Sequence, residues 1–330
     1  MAKKAKIIEL EEEIILIDDL PTLDRDYSAL GELLQDEEFV HWKAKAKEGI
    51  YDVSASKLSA IRKSPVQFVK YLFKKNNEEK ISNALIEGKS GHALLFEPET
   101  FFSRYLVLPK PTKLNKNEST ETHIGKIDYI KYVALAKSKG IKEENILDKD
   151  TYRDILLKKE LFYSEPTTRA ILKEEGICEQ EFRFTYIYKG KSFNFHGFKD
   201  KYLKKNNGIV ELKNIQNIRF WEREIFDLGY ITQVAIYLLD NFIKDGNFDI
   251  FDEIDYDAII QKVINEGVCY FLICNNDGVL PAIKLKPETI EKGFIQLHET
   301  LDKLVKCTDY TDWSKSYSYN MKLENDCIKF

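Results

Sequence analysis

Residues 197–214, GFKDKYLKKNNGIVELKN, decide how the chain is read. The stretch ends one strand, turns through Lys204-Lys205-Asn206-Asn207-Gly208 and begins another strand at Ile209. Asn-Gly is the strongest short-range hairpin signal. Asp200 sits near the end of the first strand. Glu211 and Lys213 lie two apart on the next, so they share a face. A hairpin brings Asp200 beside that pair. Two carboxylates converging on one point repel unless a cation sits between them. All-oxygen ligation selects a hard divalent ion, Mg²⁺ or Mn²⁺. A lysine on the same face can orient and help deprotonate a metal-bound water, or offset the charge of a phosphorane-like transition state. Asp and Lys also commonly end strands as plain surface residues, so the D-x₁₀-E-x-K spacing needs support from elsewhere.

Outward from this stretch, Glu181–Tyr188 and Ser192–Leu203 alternate as strands around a Lys189-Gly190 turn. Ile209–Lys213 is a third strand. Two helices follow, about Ile218–Leu228 and Ile231–Lys244, with Gly229 between them. Val268–Cys274 and Leu280–Leu285 form a further hairpin, and Pro287 opens a last helix to about Val305. Upstream, Ser54 or Ser56 caps a helix running through Leu58, Ile61, Phe68, Val69 and Leu72, which Pro65 bends or divides. Asn83–Phe96 is a second helix, ended before Pro98. Helical patterns also cover Lys126–Lys139, Tyr152–Phe162 and Thr167–Glu175, and part of Tyr27–Ala46. Residues 109–125 read as a mobile loop. Helices, a meander, helices, a hairpin and a helix predict an α/β fold with a central mixed β-sheet flanked by helices.

Composition narrows the class. The 330 residues are 43% hydrophobic and 32% charged, which excludes a disordered chain. The net charge of −5 excludes a globally basic nucleic-acid coat but not a local basic groove. Residues 1–50 carry 13 acidic and 7 basic side chains and read as an acidic extension. Residues 51–80 reverse this, with 3 acidic against 7 basic, and Ser103–Lys159 carries 13 basic against 8 acidic. Two basic segments flanking a site suit a polyanion. No apolar run is long enough to span a membrane, and no secretory leader is expected. Five cysteines, none in a C-x-x-C pair, read as reduced thiols in a cytosolic protein.

Three features support the hairpin motif. IEGKSGHALLFEP places Gly88 and His92 one helical turn apart, where glycine admits close approach and a neutral imidazole can ligate a metal. YITQVAIYLLD places Gln233 and Tyr237 four apart, so both can face one cleft. Ser54, Ser56, Lys57, Arg62 and Ser64 gather hydroxyls and cations around a helix start, a phosphate site by chemistry. Each also has an ordinary structural reading: a satisfied core histidine, a buried tyrosine with an amide partner, and helix capping.

The order S-x-S-x-L…S-P, G-x-x-x-H, G-x-x-D, V-E-L-K and Q-x-x-x-Y resembles the PD-(D/E)xK nuclease superfamily, in its phage and prophage exonuclease VIII (RecE-like) branch, over roughly Tyr51 to Asp240. The resemblance implies a restriction-endonuclease-like core at about 80–245, within a nuclease domain of 51–330. It implies that His92, Asp200, Glu211 and the backbone carbonyl of Leu212 hold Mg²⁺, with Mn²⁺ able to substitute, and that Lys213 is the catalytic lysine. Gln233 and Tyr237 would face the DNA or the catalytic centre, with Glu181 a further acidic contributor. Ser54, Ser56, Arg62 and Ser64 would contact DNA, Arg62 and Ser64 at a terminal phosphate. The implied activity is a 5′-to-3′ exonuclease on linear double-stranded DNA that leaves 3′ tails for phage-type recombination. The implied setting is the cytoplasm of a bacterial host, as a trimeric or tetrameric ring beside a single-strand annealing protein. The alternatives are a structure- or sequence-specific endonuclease and a catalytically silent DNA-binding module. Glu211 stands where many of these exonucleases carry Asp, and no Pro precedes Asp200. No cysteine precedes Cys178, so no iron–sulfur cluster is expected, and no G-x-x-x-x-G-K-[ST] string implies ATP.

Overall fold

The computed structural model describes residues 34–76, 83–108, 123–246 and 254–309. Most of the acidic extension, the start of the Tyr27–Ala46 helical stretch, most of the loop read at 109–125, and Cys327 lie outside them.

The central hairpin joins β4 (Gly176–Tyr188) to β5 (Lys191–Leu203), antiparallel from Gly176↔Leu203 to Tyr188↔Lys191. Its turn residues both take left-handed backbone, with φ 49° at Lys189 and 71° at Gly190. That twist matches two right-twisted strands. β6 (Gly208–Asn214) runs antiparallel to β5 for only three pairs, Lys201↔Val210 to Leu203↔Gly208. Its other edge pairs in parallel with β7 (Cys269–Asn275), from Ile209↔Cys269 to Asn214↔Cys274. β1 (Ile50–Val53) lies parallel to the start of β5, Ile50↔Ser192 to Val53↔Phe195. Since β4 follows one edge of β5 throughout, β1 and β6 share the other edge. The sheet forks between Phe195 and Lys201.

The single strand expected at Leu280–Leu285 is two short ones, β8 (Gly278–Val279) and β9 (Ile283–Lys284), both antiparallel to β7. Pro281 has no N–H to give a ladder, and it interrupts the pairing. β2 (Leu106–Val107) and β3 (Ile146–Leu147) make a separate parallel pair.

Pro65 divides the first predicted helix into α2 (Ala55–Lys63) and α3 (Pro65–Asn76). α4 (Asn83–Phe96) matches its expected bounds. α5 (Phe101–Arg104), α6 (His123–Ser138), α7 (Lys149–Ser164) and α8 (Pro166–Lys173) follow before the sheet. After β6 come α9 (Trp221–Asp227), α10 (Tyr230–Asp245) and α11 (Tyr256–Glu266), and after β9 comes α12 (Pro287–Asp309).

Helices cover both faces of the sheet, so its central strands are buried on both sides. Cys269, Phe271 and Ile273 of β7 face a large core with Val234 and Leu238 of α10, Ile260 of α11 and Leu297 and Leu301 of α12. Leu272 and Cys274 face a second core with Leu95 of α4, Phe162 of α7 and Leu172 of α8. The large core also takes Phe39, Trp42 and Ala46 of α1 (Glu37–Lys47), a helix that falls within the segment read as an extension. The Trp42 indole N–H donates to the Asp52 carbonyl at 3.0 Å. The packed body therefore begins upstream of residue 51. Among the described residues, no helix is long and apolar enough to cross a membrane.

α10 and α12 meet closely at Gly293. A Cβ there would stand 2.5 Å from the Ile231 carbonyl oxygen, which is backbone and cannot swing aside. Gly293→Ala is expected to destabilise the fold by about 1–3 kcal/mol through overpacking. Urea unfolding checks this, and an unchanged midpoint would show that the two helices can separate at no cost.

Candidate active site

The site lies where β6 departs from β5. Asp200 and Glu211 would be the next ladder pair after Lys201↔Val210, but the strands have begun to diverge. Their side chains close the gap instead. The Asp200 backbone N–H donates to Glu211 Oε1 at 3.2 Å, and the Leu212 N–H donates to Asp200 Oδ2 at 2.7 Å. Each carboxylate thus satisfies a strand N–H that the fork leaves without a carbonyl. All of β6 except Asn214 is buried, including Glu211 at 0% and Lys213 at 7% exposure. Charged residues this deep need partners.

They have them in a continuous chain. His92 Nδ1 lies 3.3 Å from Asp200 Oδ1. Lys213 Nζ donates to Glu211 Oε2 and to Gln233 Oε1, both at 2.9 Å, and sits 4.9 Å from the Tyr230 ring centroid. The Gln233 amide donates to the Tyr237 hydroxyl at 2.6 Å. The structure therefore brings together His92, Asp200, Glu211, Leu212, Lys213, Gln233 and Tyr237, from α4, β5, β6 and α10. Gly229, with φ 76°, makes the turn that starts α10 and so aims Gln233 at the strand.

Burial dominates the electrostatics. Burial and then the nearby Asp200 push the Glu211 carboxyl up to about 7, against the pull of Lys213 and the Asp200 N–H. Burial also works against the charge on Asp200, but His92, Lys213 and the Leu212 N–H outweigh it and hold this carboxyl below its ordinary range. Burial lowers His92, yet Asp200 overcomes this and holds the imidazole above its usual value. Lys213 is desolvated too, but Glu211 and Asp200 keep it firmly charged. Burial and Glu211 raise Tyr237, so its hydroxyl stays protonated. The result is a split pair: one carboxylate firmly ionised, its neighbour half protonated near neutrality.

The site opens into a cleft of ≈ 1030 Å³. Its floor includes Leu212, Lys213, Asn214 and Cys274, at the carboxyl ends of parallel β6 and β7, the usual ligand position in open α/β sheets. Among the described residues, six lysines line it (Lys63, Lys70, Lys89, Lys158, Lys159 and Lys213), with Glu87 as the single carboxylate.

The hydroxyls and cation at the start of α2 are placed differently from one another. Ser56 lines the cleft. Ser54 caps α2, its Oγ accepting from the Lys57 N–H at 3.3 Å, and Ser64 accepts from the Gln67 N–H at 3.1 Å. Arg62 donates to the carbonyls of Phe226 at 3.0 Å and Asp227 at 2.7 Å, at the end of α9, and is not among the cleft-lining residues. The cations that line the cleft are lysines. Their helices are legible in the sequence, but not that three chain segments face one another.

Glu181 is exposed, pairs with Arg183 at 3.0 Å and lies opposite Phe198. Between the pairs Cys178↔Lys201 and Gln180↔Lys199 the ladder skips Glu179 and Asp200, and Glu179 has a φ of 49°, unusual for a side-chain-bearing residue. Burial and Asp200 raise its carboxyl above the ordinary value. Only the true start of β4, five residues before the expected one, could have pointed to it.

Among the described residues, no three His, Cys, Asp or Glu side chains are gathered into a ready-made metal cage. The donor set nevertheless fits a hard divalent ion in kind. Asp200 and Glu211 repel strongly enough to help lift one of them to near-neutral titration, and a cation between them would relieve that repulsion. No family model matches the chain, and no curated protein matches it. Among solved structures, the chain is similar to a "Putative exonuclease" from Eubacterium rectale, with 11% identity and a TM-score of 0.49 over 90% of this chain and 95% of that one. It is also similar to SSO0001, with 14% identity and a TM-score of 0.24 over 53% and 69% of the two chains. At these values the function has to be read from the side chains themselves.

Proposed function

We propose that the protein is a metal-dependent deoxyribonuclease that hydrolyses phosphodiester bonds at the fork between β5 and β6. The observation that carries this is the buried Asp200–Glu211–Lys213 group, which meets a lysine-rich cleft through Lys213 and His92. The lysines suit a polyanionic backbone, and the carboxylate pair suits a divalent cation. Asp200, Glu211, the Leu212 carbonyl and His92 would hold Mg²⁺ or Mn²⁺. The ion, when bound, would grip the scissile phosphate and lower the pKa of a water.

The chain's own residues do the rest. Lys213 keeps a positive charge at the reacting phosphate. Gln233 fixes that ammonium through its side-chain oxygen, and Tyr237 fixes the Gln233 amide in turn. The cleft lysines hold the flanking backbone without reading bases, so cutting would tolerate any sequence. The motif order adds the finer reading, a 5′-to-3′ exonuclease on linear duplexes.

Incubation of closed circular and linear duplex DNA, the latter labelled at either end, with Mg²⁺ or Mn²⁺ tests it. Loss of the 5′ label first, with the circle intact, is the expected result. A cut circle would replace the exonuclease by an endonuclease, and early loss of the 3′ label would reverse the polarity. No cleavage of either substrate with either ion would sink the nuclease reading.

A further inference from the structure

Among the described residues, Glu87 is the single carboxylate lining a cleft otherwise rich in lysine, and it faces two donors. Its Oε1 accepts from Lys158 Nζ of α7 at 2.5 Å and from the Asn214 side-chain amide, at the end of β6, at 3.4 Å. The pair is sheltered, with side-chain exposures of 12% for Lys158 and 25% for Glu87. Asn214 follows Lys213 directly, and alternation along the strand sends the two side chains to opposite faces. Lys213 reaches Gln233 of α10, while Asn214 reaches Glu87 of α4. One ammonium and one amide N–H converging on one anionic oxygen is the donor set that a phosphate oxygen would take.

We infer that Glu87 is a built-in stand-in for a substrate phosphate, and that Lys158 and Asn214 form a phosphodiester subsite which Glu87 fills until nucleic acid enters. This rests on the nuclease reading and adds a contact beyond the reacting phosphate. Glu87 and His92 are five residues apart on α4, about 7.5 Å along the helix axis. The phosphate that displaces Glu87 is therefore not the one beside Asp200. Displacement releases Lys158 to the incoming strand and sets the Glu87 carboxylate against it. Empty, the cleft holds one lysine neutralised. Filled, it pays for that lysine with a repelled carboxylate, so binding is weaker than the lysines alone would give.

Equilibrium binding of a short fluorescent DNA duplex, without divalent ion and across a salt series, tests this. Glu87→Gln keeps the shape and removes the charge. It should tighten binding several-fold at low salt. Lys158→Gln should weaken binding and reduce the slope of log K against log [salt] by about 0.9, the value for one phosphate contact. Glu87→Gln in the Lys158→Gln background should recover only part of its single effect, because the ion pair is already gone. A Glu87→Gln protein that binds no tighter than the parent, with thermal unfolding unchanged, overturns the inference. So does a Lys158→Gln protein with the parent's affinity and slope, which decides the matter even if the Glu87 variant misfolds. Failure of the parent itself to bind duplex would instead remove the nuclease reading, and the subsite with it.

Discussion

Lys213→Met is expected to abolish DNA cleavage at every pH while its effect on Mn²⁺ binding depends on pH. The ammonium does two separable things. In the proposed reaction it faces the reacting phosphate, where loss of a positioned group of this kind costs at least about a hundredfold in rate. It also lies 2.9 Å from Glu211 and opposes the burial that pushes that carboxyl up. Without Lys213, Glu211 should titrate higher still and be protonated at pH 7. Calorimetric titration with Mn²⁺ should then show weak binding at pH 7 and recovery by about pH 9, as Glu211 ionises. Cleavage should not recover, because the charge at the phosphate is missing. Rates that return with pH would reduce Lys213 to a tuner of Glu211. Binding as tight as the parent's at pH 7 would show that Glu211 is not a ligand.

The unsubstituted protein carries a second large pH effect. Glu211 has its carboxyl pushed up to about 7, from an ordinary value near 4.5. A raised carboxyl is protonated below its folded-state pKa, and only its ionised form attracts a cation. Affinity for Mg²⁺ or Mn²⁺ should therefore be flat above pH 8 and fall below pH 7, by about tenfold per pH unit for one proton. His92, held above its usual value by Asp200, must also lose its proton to ligate, which steepens the fall. The same ionisation acts on the fold. Charging the buried Glu211 carries a stability cost that is absent below its unfolded-state value and complete above about 7. The ion-free protein should therefore lose thermal stability from about pH 5 to 8 and regain it on adding Mn²⁺. Calorimetry in two buffers of different ionisation enthalpy measures proton release directly. Zero release at pH 6.5 would contradict the assignment.

Most of this architecture is legible in the amino-acid sequence. The Asn-Gly and Lys-Gly turns locate both hairpin connections, and the spacing of Glu211 and Lys213 puts them on one face. Pattern gives the face of a strand but not its starting point. Glu179 and Glu181 have the same parity, and the clean alternation that begins only at Glu181 draws the reading to that residue, while Glu179 is the one nearer Asp200. Arg62 shows a second limit. Composition marks it as a phosphate ligand, while the end of α9, contributed by residues far along the chain, supplies it with two carbonyls. The opposed lysine walls are hidden for the same reason, since they come from α2–α3, α4 and α7.

The fork gives the two acids a second employment. Asp200 and Glu211 each hold a main-chain N–H of the other's neighbourhood, so they act as stitches in the sheet beside any part in the proposed chemistry. A chain of this fold that did not perform the proposed reaction would still unravel at this seam on losing either one, and would keep both for the sake of its fold. Acid replacements, the habitual choice for a dead control, would confuse a torn seam with a silenced centre. The Lys213 ammonium reaches two side chains and stitches no strand N–H, so replacing it tests the proposed reaction without tearing the seam.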